Sequence, residues 1–197
     1  LSGYLKVVVL ISYCVLLNQS DYPMNNYSSV LTLPSSASPA QYQQLVIPHL
    51  ISIWLDDYDV STPANDIVET EACGFSYLFD VTHSRLIAAW GFSNGKNTDP
   101  RPKSRMAGSP LGAGPQYHRG HAIPHTLGGA TDINLVPQLG SVNVGPFREL
   151  ERAAVDTPGS LYFTYWVYKG AGIQKPVGVE QGFVKPGRPL DVRKHKN

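Results

Sequence analysis

The chain has 197 residues, 42% of them hydrophobic and 16% charged, enough for one globular domain with an accessory segment and too apolar for a disordered chain. Eighteen Gly and sixteen Pro imply many turns and speak against a helical bundle, while two cysteines, Cys14 and Cys73, exclude a disulfide-stapled miniprotein and a multi-cysteine zinc ribbon. The net charge of +1 hides a split: residues 1–80 hold one basic residue against eight acidic ones, and residues 81–197 hold fifteen against seven. Only the second part is suited to meet a polyanion, unless folding mixes the charges again.

Val7 to Leu17 is an apolar run too short for a membrane span, which needs about 20 residues. No membrane partner is therefore expected. Lys6 before the run would suit a signal-peptide core, but its β-branched residues favour a buried strand. Asn18-Gln19-Ser20 and Asn26-Tyr27-Ser28 fit the N-glycosylation pattern, which matters only for secretion by a eukaryote. Residues 18–37 read as a loop. Ser38-Pro39-Ala40-Gln41 predicts a helix start, with Pro48 stopping that helix near Ile47. Residues 49–59 are open between a second helix and a strand.

Alternation in 75–81 and 85–90 around His83-Ser84 predicts a hairpin, followed by a basic loop over 93–116. A short strand is expected over Arg119–Ile123, then a Gly128-Gly129 turn and a loop to about Leu139. A helix should begin near Asn143, since Pro146 fits only a first turn. Residues 161–168 form the strongest strand pattern. One or two more strands fall within 176–184, before the basic tail 193–196. These elements define an α+β class.

The chemistry concentrates between Tyr117 and Glu151: His118-Arg119-Gly120-His121, Asn134-Leu135-Val136-Pro137-Gln138, Asn143 and Glu151. Cutting a phosphodiester takes a base for the water, a cation for the charge growing on the phosphate, and relief for the leaving oxygen. His121 can be the base. Asn is a proper oxygen ligand for magnesium, which keeps several waters of its own. On one continuous helix, Asn143 and Glu151 would lie about 80° apart and border one site.

This stretch resembles the DNA/RNA non-specific endonucleases of the ββα-metal (His-Me finger) fold, whose signature is Asp-Arg-Gly-His, then Asn with Pro-Gln close behind, then Asn and Glu on the next helix. The hairpin and basic loop are similar to the toxin branch in particular. The match is loose over 70–185 and close over 117–151; residues 1–65 match nothing in it. The resemblance implies a ββα-metal nuclease core with an antiparallel sheet over 66–197, preceded by an N-terminal accessory segment over 1–65. It implies magnesium as cofactor, with manganese as a substitute, and hydrolysis of DNA and/or RNA without sequence preference.

By the same resemblance His121 is the base, Asn143 the direct metal ligand, Glu151 the holder of water from the ion's hydration shell, and Asn134 a catalytic-site residue that fixes the loop or the site geometry. Arg119 would neutralise the phosphate, with Arg101, Arg105 and Arg85 as further candidates and His118 placed toward substrate. A secreted product or one delivered to a target cell, with a cognate immunity or inhibitor protein, follows from the toxin branch. His118 departs from the signature, which has Asp there. A zinc site of His118, His121 and His125 is a rival that a strand disfavours, because positions 118 and 121 point to opposite faces. From another class, the chain would be a catalytically impaired nucleic-acid-binding or structural module on the same fold.

Overall fold

The computed structural model describes residues 22–197 except 102 and 111, and the backbone only at Lys103. The strand expected within 7–17, Cys14 with any pairing to Cys73, and the pattern at Asn18 lie outside the described residues.

Helix α1 (Pro39–Leu45) starts as its sequence predicts. Ser38 Oγ accepts the Gln41 N–H and Gln41 Oε1 accepts the Ser38 N–H, satisfying two amides that a helix start leaves over. It stops at Leu45, and Pro48 is not its terminator: Pro48 sits in the first turn of α2 (Ile47–Ser61), where a missing N–H costs nothing. Residues 49–59 are therefore helical. Ile47, Leu50, Trp54 and Tyr58 are its buried positions, three or four apart as one helix face requires.

Six antiparallel strands form the main sheet: β1 (Ile67–Ala72), β2 (Phe75–Asp80), β3 (Arg85–Phe92), β6 (Leu161–Val167), β7 (Gly178–Val184) and β8 (Asp191–Lys196), in the order β1-β2-β3-β6-β7-β8. Cys73 (φ 54°) and Gly74 (φ 78°) link β1 to β2, two consecutive positive values of the kind a tight hairpin turn uses. The acidic strand β1 carried no apolar alternation. The tail over 193–196 is not a loose end but part of the edge strand β8, paired with β7.

All seven positions of β6 are buried because both sheet faces are covered. On one face Trp54 of α2 packs against Phe163 and Tyr165, at centroid separations of 5.2 and 6.3 Å. On the other, Phe147 meets Trp166 at 6.3 Å. Residues of α1 and α2 thus share one hydrophobic core with the sheet, so the described part of segment 1–65 is built into the body of the protein.

The face that carries Phe147 also carries a second, two-stranded antiparallel sheet of β4 (Tyr117–His121) and β5 (Leu135–Leu139). A short helix α3 (Lys103–Met106) lies within the basic loop, and α4 (Gly140–Val144) and α5 (Phe147–Val155) follow β5. Residues 135–139, expected as loop, form a strand despite Pro137. No helix among the described residues is long and apolar enough to cross a membrane.

Candidate active site

Arg119 and His121, two residues apart on β4, share one strand face, and both open into a cleft of about 550 Å³. Gly120 between them faces β5, where any Cβ would run into the Gln138 side chain. That close approach explains the glycine between Arg and His. His121 is 6% exposed. Burial first, then the Arg101 guanidinium and His125, hold its imidazole down at about 4, so it is neutral at pH 7 and able to accept a proton.

Asn134 does not line the cleft. It is fully buried, and its carboxamide bonds the Ile123 and Ala130 backbone in the loop between β4 and β5. Gly129 leaves room for this arrangement, since a Cβ there would collide with Ile123 O and crowd the Asn134 amide.

Asn143 and Glu151 stand on two helices, not one as expected. Gly145 closes α4 with its N–H on Val142 O, and Pro146 caps a fresh start at Phe147. The break still leaves both side chains on the cleft wall. Glu151 is half-buried, and burial pushes its carboxyl up to about 7 against the opposing pull of Arg148, Arg101 and Arg152. Below α5, Gln181 Nε2 donates to Phe147 O and to the Tyr162 hydroxyl at 2.8 Å each, while its Oε1 lies 3.0 Å from His195 Nε2. This buried set anchors the first residue of the helix that carries Glu151.

Of the remaining expected residues, Arg101 lines the cleft. Arg105 lies outside its wall, where it pairs with Asp132 at 3.4 Å and its carbonyl accepts from Arg119 Nη1 at 3.1 Å. Arg85 is only 3% exposed, with Nε donating to the Tyr58 hydroxyl, Nη1 to Gly170 O and Ile173 O, and Nη2 to Thr62 Oγ1. Those bonds make it a structural arginine, closed to a phosphate. His118 is exposed and also outside the cleft wall, with Nδ1 3.3 Å from Asn143 Nδ2.

The cleft also recruits Lys96, Arg148, Arg152 and His125, which the motif did not single out. The His125 ring stands edge-on to His121 at 6.3 Å. The spacing Arg148-x-x-Glu151-Arg152 was a usable signal, because residues three and four apart share a helix face. Among the described residues, the Lys and Arg side chains of the cleft come from the basic second part of the chain.

No family model and no curated protein matches the chain. Among solved structures, NucA from Streptococcus agalactiae with magnesium bound superposes with a TM-score of 0.48 at 13% identity, over 74% of this chain and 88% of that one. The form of NucA with no metal bound gives 0.47 at the same identity and coverage. Superpositions this loose do not define the fold of this chain, which stands on its own strand order and register.

Proposed function

We propose that the protein is a magnesium-dependent endonuclease that hydrolyses phosphodiester bonds of DNA and/or RNA without sequence preference. The observation that carries this is a neutral, buried His121 at the wall of a cleft that also holds Asn143, Glu151 and five Lys/Arg side chains.

The donor set fits a hydrated hard cation. Asn143 and Glu151 bring oxygen donors to one cleft, and a half-buried carboxyl pushed up to about 7 gains from a cation beside it. Among the described residues no three His, Cys, Asp or Glu side chains gather as a metal cage, which disfavours the zinc set of His118, His121 and His125. Magnesium, when bound, would supply positive charge to the scissile phosphate and the departing oxygen.

The rest is the work of the chain. His121 takes the proton from the attacking water as the water oxygen bonds to phosphorus and the bond to the departing oxygen breaks, and it then releases that proton to solvent. Arg101 and Arg119 neutralise the phosphate, while Lys96, Arg148 and Arg152 hold flanking phosphates. Among the described residues no Phe, Tyr or Trp lines the cleft to stack on a base, so the contacts favour backbone over sequence. Nicking of supercoiled plasmid with magnesium, and none with chelator, is the expected result. Cleavage that survives chelator, or a DNA mobility shift without cutting in magnesium, would overturn it.

A further inference from the structure

His118 is the motif residue that this chemistry leaves unused. Its ring is set by two neighbours. A Cβ on Gly140 would lie 2.8 Å from His118 Nε2, so the ring packs onto the bare first residue of α4. On the other side Nδ1 lies 3.3 Å from Asn143 Nδ2. His118 is paired with Gln138 across the β4–β5 ladder, two residues before Gly140, which fixes the distance between ring and helix start.

An imidazole nitrogen without a proton can only accept. With the proton on Nε2, His118 Nδ1 takes an N–H from the Asn143 amide and leaves Oδ1 free. The reversed amide would turn its NH2 toward the cleft and repel a cation. We infer that His118 is a positioning residue: it orients the Asn143 carboxamide so that its oxygen, not its nitrogen, is offered to the metal ion. This inference depends on the nuclease reading for its purpose but not for its measurement. It also accounts for the departure from the signature, since Asp and an Nε2–H histidine both accept a hydrogen bond at this position.

The test is Mn2+ binding followed by loss of the free-ion EPR signal, on the full chain and on His118→Ala and His118→Asp. Outer partners of a metal ligand are commonly worth 10–100-fold in metal affinity. His118→Ala should weaken Mn2+ binding about tenfold or more, with its thermal midpoint and its DNA affinity in chelator unchanged. His118→Asp restores an acceptor and should bind Mn2+ within roughly threefold of the parent, or more tightly. Equal Mn2+ affinity in His118→Ala and the parent would overturn the inference, as would His118→Asp binding as weakly as His118→Ala. A fall in midpoint and DNA affinity alongside metal affinity would also overturn it, because a merely structural role moves all three. If the parent binds Mn2+ but never cuts DNA, the nuclease reading fails while the comparison of variants still decides the role of His118. A parent that binds no Mn2+ sinks both.

Discussion

The Asn134 carboxamide grips the Ile123 backbone on both sides of its Cα, Oδ1 accepting its N–H at 2.7 Å and Nδ2 donating to its carbonyl at 2.7 Å. Nδ2 also reaches Ala130 O at 2.8 Å. Ile123 lies two residues beyond His121, so this grip sets where β4 ends and the loop begins. Truncating Asn134 to Ala strands three buried backbone groups, at a cost of roughly 1–3 kcal/mol for each one left unpaired. Denaturant unfolding of Asn134→Ala should show a clearly lowered midpoint, with activity lost in parallel. An unchanged midpoint would mean that the grip contributes nothing.

His121→Ala is expected to lower cleavage by about 10²–10⁴-fold, the usual worth of a positioned general base, with fold and DNA affinity retained. Circular dichroism and DNA binding in chelator check the second half of that statement. A variant that cuts at the parental rate would remove His121 from the mechanism.

The cleft arginines act through phosphate charge, so the salt dependence of DNA binding reads them one at a time. Arg148→Ala and Arg152→Ala should each reduce the slope of log K against log salt by about one. Arg105→Ala should leave that slope unchanged, because its guanidinium lies outside the cleft beside Asp132. Arg85→Ala should instead destabilise the fold, since Tyr58, Thr62 and the 170–173 turn all depend on it.

Two buried histidines make stability depend on acid. His121 and His195 are both held down at about 4, in each case by burial first. An unfolded histidine takes its proton near 6.5. Between those values the unfolded chain binds more protons at these two positions than the native one, so their contribution is complete above about 6.5 and falls as pH drops toward 4. Each group contributes up to about 3 kcal/mol over that window. Glu151, pushed up to about 7, works the other way between about 4.5 and 7, so the histidine contribution is read as a difference between variants. The urea midpoint of His195→Gln relative to the parent should be constant from pH 8 to 6.5 and rise as pH falls toward 4, and a difference that stays constant down to pH 4 would contradict the burial argument.

Deleting residues 1–65 should abolish folding rather than release a working core. Trp54 lies 5.7 Å from Trp90 and also packs on Phe163 and Tyr165, and the Tyr58 hydroxyl donates to Asp80 at 2.6 Å. A soluble, cooperatively unfolding 66–197 fragment would show that those contacts are dispensable. Such a fragment would make the first segment an accessory in fact as well as in pattern.

Several elements were legible because their causes are local. The Ser38–Gln41 capping pair, the hairpin over 75–90 and the apolar run over 161–168 each carry their instruction within a few residues. So do Arg119-Gly120-His121 and the residues 134, 143 and 151 downstream, which the structure gathers around one cleft or its supporting loop. Strands β1, β5 and β8 were not legible. Their residues are polar, basic or interrupted by proline, and they are strands because a neighbouring strand supplies hydrogen-bond partners from elsewhere in the chain.

Charge shows the same division. The sequence by itself determined that the second part of the chain is basic and that His121, Asn134, Asn143 and Glu151 follow one another in the order of the motif it resembles. Only the tertiary structure decided that Arg85 is sealed beneath Tyr58 and Tyr168 while Arg148 and Arg152 face the cleft, and that Gly145 and Pro146 split one helix into two. The reason is that residue type sets what a group can do in water, whereas burial, partner and direction are set by segments that are distant along the chain and adjacent only once it has folded.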